Sequence, residues 1–450
     1  MPSALRFANL LKSAFTMSTA MKVHCLFIVV LTFLTMSLTM PQTLANTIST
    51  TLSKSEDGRW SVEYQSAEPI SQLQFKRSPD NSRAQRWQLP EQFAIAYEDG
   101  KEMIRRDDGA PFTQVEAELT ATYITLDKEY APFSPFSDGG LLVYSGRFFV
   151  CAGHCDTTQN QWPMRVEAPI TNTIIVQGQI YQGEAQWTDS NSGHNIYVGP
   201  AEQRYQGEFV SIIDEGLPPS LRELMDSALP EFMRFYAEHL AAPESMPQLF
   251  ASYSPTSDGR YGHQGGVLPN QVFMHWYGWV DESAVNQTLW FFAHEAAHIF
   301  QQPHTFSSDA AWLHEGSAEL FAELALNDKA LHKTARPSAI ENAQVACVNG
   351  LTEGISFDQT LKQNSRLMYS CGLVLFNAMH NDLVAQGEDI FSLWNAYDAA
   401  VTGGEQASET TFMSVASRHL SALLSTQLNS LLQPDNLHPV DVMANITGSE

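Results

Sequence analysis

The sequence predicts an α+β molecule in which a β-rich N-terminal domain precedes a helix-dominated one. Three observations carry this expectation. From about Thr47 to Tyr205 the chain reads as short alternating segments between Gly, Pro, Asn and Asp clusters, the pattern of half-buried strands. After Pro218-Pro219 the apolar residues change to three- and four-residue spacing and keep it almost to the C-terminus. A length of 450 residues exceeds one ordinary domain, and 44% hydrophobic with 17% charged residues describes a folded chain. The expected division is a leader over 1–45, a β-rich domain over 46–205 and a helix-dominated domain over 206–450.

The leader carries Arg6, Lys12 and Lys22 and no acidic residue, then an almost continuous apolar run from Cys25 to Leu38. That run of 14 residues falls short of the roughly 20 that span a bilayer. Thr43-Leu44-Ala45 supplies a small-residue cleavage pattern, so residues 1–45 read as a secretory signal, with Met21 as an alternative start. An uncleaved anchor is the competing reading. Export to a periplasmic or extracellular location is expected, without stable membrane insertion after cleavage. Loss of the leader leaves 22 basic against 50 acidic residues, a surface that repels nucleic acid and anionic membranes.

Four cysteines remain in a compartment where disulfides persist. The simplest of their three pairings joins Cys151 to Cys155 and Cys347 to Cys371. The run Cys151-Ala152-Gly153-His154-Cys155 has a metal-binding alternative, less favoured in an oxidising setting.

In the β-rich part, Trp60-Ser61-Val62-Glu63-Tyr64 and Leu141-Leu142-Val143-Tyr144 are typical strand segments. The first long helix is expected after Pro219, capped by Ser220 and running through Leu221, Leu224, Met225, Leu229, Phe232 and Phe235. Pro230 is placed to kink it. Strands are expected around Leu249–Tyr253 and Val272–Trp279. Ser257–Pro269 and Ala335–Gln344 read as loops, and the last fifteen or so residues as loosely ordered.

The chemistry sits in the helix expected over Gln287–Gln301, which contains His294-Glu295-Ala296-Ala297-His298. Two histidines four residues apart leave the same helix face and can meet one ion, with Glu295 beside them. Zinc takes such nitrogen and carboxylate donors, and a neighbouring carboxylate can remove a proton from an activated water. Trp290, Phe291, Phe292, Ala293, Ala296, Ala297, Ile299 and Phe300 make this helix apolar nearly all round. Polar groups buried in it require compensation, which one zinc ion per chain provides.

Two residues compete to be the third ligand. His304 has the metzincin spacing, but Gln301 stands where that pattern requires a turning glycine. Glu315 lies in Trp312-Leu313-His314-Glu315-Gly316-Ser317-Ala318-Glu319-Leu320-Phe321, an apolar helical stretch where Glu315 and Glu319 share a face, and it is favoured. Glu319 is then placed to orient a ligand imidazole.

These motifs resemble the gluzincin clan, most closely the family of aminopeptidase N, in which a Trp-Leu-x-Glu-Gly run follows the histidine motif. The 16 residues between His298 and Glu315 are two fewer than that family usually has. The resemblance implies a thermolysin-like catalytic fold and His294, His298 and Glu315 as metal ligands. It also implies Glu295 as general base. The run Tyr369-Ser370-Cys371-Gly372 is similar to the family's Tyr-x-x-Gly, which implies Tyr369 as the oxyanion donor.

The family also holds the substrate amine with a glutamate on the strand before the motif helix. Here Tyr261–Gln271 contains no acidic residue, and Glu319, Asp281 and Glu282 are the nearby substitutes. Val272–Trp279 retains the character of an edge strand that pairs with an extended peptide. The implied function is an exported zinc peptidase acting on peptides or proteins, with end-directed and internal cleavage both open. The alternatives are a peptide-binding module on the same fold and a zinc hydrolase of a non-peptide substrate.

Overall fold

Alternation builds the first half of the chain. In Trp60–Ile70, Trp60, Val62 and Tyr64 point inward while their neighbours face solvent, because successive strand side chains leave opposite faces. The computed structural model describes residues 48–126, 129–155, 159–200, 204–206, 209–243, 247–280, 285–301, 311–328 and 339–448. The expected leader, His304, Asp281 and Glu282 lie outside the described residues.

Ile48–Glu450 form one compact unit. Its first sheet has the strand order Glu184–Asp189, Trp162–Glu167, Ile48–Lys54, Trp60–Ile70, Phe112–Leu119, Trp87–Gln88, with one parallel pair between Ile48–Lys54 and Trp162–Glu167. A four-stranded and a five-stranded sheet complete the β-rich half. Leu52, Val62, Phe75, Ile104, Val143 and Phe148 belong to its core.

A fourth sheet serves the helical half, in the order Arg204–Gln206, Phe209–Ile213, Gln248–Ser254, Gln271–Tyr277, Gly262–Leu268. Its three inner strands run parallel, and Gly262–Leu268 adds antiparallel at the edge, so the expected edge strand Val272–Trp279 is corrected to an inner one, Gln271–Tyr277. A shared apolar layer joins the halves: Phe136, Leu142, Tyr144, Ile175 and Tyr197 pack with Val210, Ile212, Phe250, Leu268 and Phe273.

The expected loop Ser257–Pro269 is corrected by the strand Gly262–Leu268. Its glycines offer no alternating apolar side chains to read, and backbone pairing with Gln271–Tyr277 defines it instead. Pro269 and Asn270 make the two-residue turn, and Asn270 takes φ +56°, a conformation asparagine tolerates.

Ten helices of the described residues follow, beginning with Pro219–His239. That helix starts at Pro219 with Pro218 as its cap, so the expected Ser220 cap is corrected. A proline at the first helical position gives up an N–H that has no helical partner anyway. The helix continues through Pro230.

Two further expectations are corrected. Ala339–Gly350 is helical rather than looped, with Ala343 and Cys347 buried four residues apart. The tail forms the helix Pro439–Thr447, anchored by the fully buried Met443 and closed by Gly448 at φ +65°. Both expected disulfides are present, Cys151–Cys155 and Cys347–Cys371.

Candidate metal centre

Burial fixes the helix that carries the histidines. Val285–Phe300 lays Leu289, Phe292, Ala293, Ala296, Ala297, Ile299 and Phe300 into the core. The buried Tyr236 donates from its hydroxyl to the Ala293 carbonyl at 2.8 Å, tying this helix to Pro219–His239. His294 and His298 leave one face, as their four-residue spacing dictates, and their Nε2 atoms lie 3.0 Å apart.

The helix Ala311–Asp328 brings Glu315 to the same point. Its Oε2 lies 3.3 Å from His294 Nε2 and 3.4 Å from His298 Nε2. Three donor atoms thus form a nearly equilateral triangle. A tetrahedral zinc with arms of about 2.1 Å would separate its ligand atoms by about 3.4 Å, so the donor set fits the ion in both chemistry and spacing.

The other ring nitrogens are held from behind. His298 Nδ1 lies 2.6 Å from Gln301 Oε1, and the Gln301 amide donates to the His314 carbonyl at 3.0 Å and to Ser317 Oγ at 2.6 Å. An acceptor at Nδ1 places the ring proton there and leaves Nε2 with its lone pair toward the shared centre. His314 stacks on the His298 ring with centroids 4.0 Å apart. His294 Nδ1 stands 3.1 Å from Glu319 Oε1, at ion-pair distance although not in hydrogen-bond alignment.

Electrostatics agree with a cation site. Burial lowers the His294 pKa, but the Glu315 and Glu319 carboxylates outweigh it and push it up to about 10. For Glu315 burial acts upward, and its two imidazole neighbours override that and hold it well below the usual carboxylate range. Glu295 is raised, first by burial, with the histidines acting the other way.

The helix Leu367–Ala385 supplies Tyr369 from its first turn, 43% exposed, with its ring 5.9 Å from that of His294. Burial, then the carboxylates of Glu315 and Glu295, raise its phenol pKa far above the ordinary value, so the hydroxyl stays a donor. The position of this helix is set by a close crossing. A Cβ on Gly372 would lie 2.6 Å from Gly316 Cα and 2.8 Å from the Trp312 carbonyl oxygen. The Cys347–Cys371 bridge lies beside the crossing.

All five sequence-derived site residues, His294, Glu295, His298, Glu315 and Tyr369, line one cleft of 410 Å³. Two cleft or supporting residues escaped the sequence reading. Gln301 follows His298 by three positions, a spacing that places it on the same helix face and was a readable signal. Tyr130 comes from the β-rich half and also lines the cleft; nothing local marks it.

No protein-family model matches the sequence, and no curated protein sequence matches it. Solved structures do. A two-domain M1 zinc metallopeptidase bound to L-arginine superposes with TM-score 0.51 at 13% identity, covering 88% of this chain and 94% of that one. The L-tryptophan complex of a two-domain M1 zinc metallopeptidase gives TM-score 0.50 at 14% identity, over 87% and 95% of the two chains. An M1 zinc metallopeptidase from Deinococcus radiodurans bound to a Tyr-Ser-Ala substrate gives TM-score 0.49 at 13% identity, over 88% and 95%. On the first two of these, the fold is that of the two-domain M1 zinc metallopeptidases, a β-rich part followed by a helical one.

Proposed function

We propose that this chain is an exported zinc-dependent peptidase that cleaves peptide bonds with His294, His298 and Glu315 as ligands of a single zinc ion. The observation that carries the reading is the donor triangle of these residues, 3.0–3.4 Å on each side, with Glu295 and Tyr369 lining the same cleft. A zinc ion held there supplies Lewis-acid polarisation to a scissile carbonyl and to an attacking water.

The side chains perform the proton and charge transfers. Glu295, its carboxyl raised above the ordinary value by burial, takes the proton from the water as its oxygen attacks the carbonyl carbon. It then delivers that proton to the leaving amine nitrogen as the C–N bond breaks. The Tyr369 hydroxyl donates a hydrogen bond to the carbonyl oxygen as negative charge collects on it. Gln301 holds the His298 imidazole in the orientation that ligation requires, and Glu319 stands at ion-pair distance behind His294. Export rests on the leader and on the two disulfides; among the described residues no helix is long and apolar enough to cross a membrane.

The test compares the zinc-loaded parent with Glu295→Gln on a fluorogenic peptide library. Removal of the base is expected to lower kcat by about 100-fold or more with zinc content unchanged. Equal turnover by the two proteins would overturn the assigned role.

A further inference from the structure

The strand Gly262–Leu268 is the outer strand of its sheet, and it forms one wall of the cleft through Gly265, Gly266 and Val267. An outer strand offers unpaired backbone groups to an extended peptide. One of these groups is already taken. The Tyr130 hydroxyl donates to the Val267 carbonyl at 3.1 Å.

Tyr130 is held there firmly. Its ring packs edge-on against Tyr144 and Phe273, with centroids 5.3 and 4.8 Å away. The segment before it is fastened to the same strand, because the Gln264 amide donates to the Leu126 and Glu129 carbonyls at 3.1 Å each. Tyr123 Oη donates to Gln264 Oε1 at 2.9 Å. Glu129 is paired in turn with Arg77 at 2.7 Å. The strand accommodates the phenol by lacking a side chain: a Cβ on Gly266 would lie 2.9 Å from Tyr130 Oη.

We propose that Tyr130 is a substrate-length stop that closes the strand edge at Val267, so a peptide paired with Gly262–Leu268 reaches the metal centre from the Gly262 side. The strand residues that line the cleft are Gly265, Gly266 and Val267, and from Gly265 to Val267 the strand rises about 7 Å, so a peptide lying along them meets the Tyr130 ring within about two residues. The enzyme then trims near a chain end, and the β-rich half contributes a specificity residue. This inference rests on the peptidase reading.

The experiment follows cut positions by mass spectrometry on peptides of graded length, using zinc-loaded parent, Tyr130→Phe, Tyr130→Leu and Tyr130→Ala. The parent is expected to cut within two residues of one end, and three further residues at that end should lower kcat/KM by about ten-fold. Tyr130→Ala should restore the extended peptides and move the cuts inward; Tyr130→Leu, which keeps apolar packing on Phe273, should do so in part if the alanine variant does not fold. Tyr130→Phe keeps the ring and should keep the parent's pattern. Cuts and length dependence unchanged in both the leucine and alanine variants, or mid-chain cutting by the parent, would overturn the stop. If the parent cuts no peptide, the peptidase reading fails separately. Fluorescence anisotropy of labelled peptides on zinc-loaded Glu295→Gln then tests the stop: weaker binding of extended peptides that Tyr130→Ala relieves supports it, and equal binding of all lengths overturns it.

Discussion

The orientation of two imidazoles decides what the centre binds. The convergence of His294 and His298 was legible from their four-residue spacing within an apolar helix, and the place of Glu319 from sharing a helix face with Glu315. For Gln301 the three-residue spacing from His298 gave the face but not the role, which lies in contacts with the His314 carbonyl and Ser317 Oγ, 13 and 16 residues away. A third histidine shows how burial alone sets a charge state. His275 is 1% exposed, its ring nitrogens meet Ser252 and Ser254 at 2.8 and 2.9 Å, and burial pushes its pKa down to about 3. The unfolded chain binds a proton there below about 6.5. The contribution of a neutral His275 is therefore present above that value and lost as pH falls toward about 3. Urea unfolding of the parent should lose stability from pH 6.5 downward with a slope approaching 1.4 kcal/mol per pH unit from this residue, roughly. His275→Asn should have a flatter acid limb; identical limbs would contradict the assignment.

Helices bring the site together, and their contact depends on two glycines. Gly316 follows Glu315 directly, and Gly372 lies three residues after Tyr369. Their backbones touch, so the ligand helix and the Tyr369 helix cross without intervening side chains. Gly372→Ala should cost about 2 kcal/mol through overpacking and lower Tm, with loss of turnover as Tyr369 moves from the cleft. An unchanged Tm would show that the crossing tolerates a methyl group. The helices were legible where apolar spacing was strong, as in Val285–Phe300. The hairpin of Gly262–Leu268 with Gln271–Tyr277 was only half legible, since glycine-rich pairing leaves no pattern of side chains. The tail helix Pro439–Thr447 was missed because its burial depends mainly on Met443.

The whole molecule places a β-rich half beside a helical one, an arrangement visible in the change of period from two to three and four near Pro218-Pro219. The sequence did not disclose how the halves meet. Phe136, Tyr144 and Tyr197 pack with Phe250, Leu268 and Phe273, and the same region presents Tyr130 to the cleft. These are contacts between residues more than 50 positions apart, which local periodicity does not encode. The proposed function depends at every scale on one ion between His294, His298 and Glu315. The most direct measurement is zinc per chain, by elemental analysis, on the purified folded parent and its Glu315→Ala and His304→Ala variants. One zinc is expected in the parent and in His304→Ala and none in Glu315→Ala; no zinc in the parent, or loss only with His304→Ala, would overturn the proposed centre.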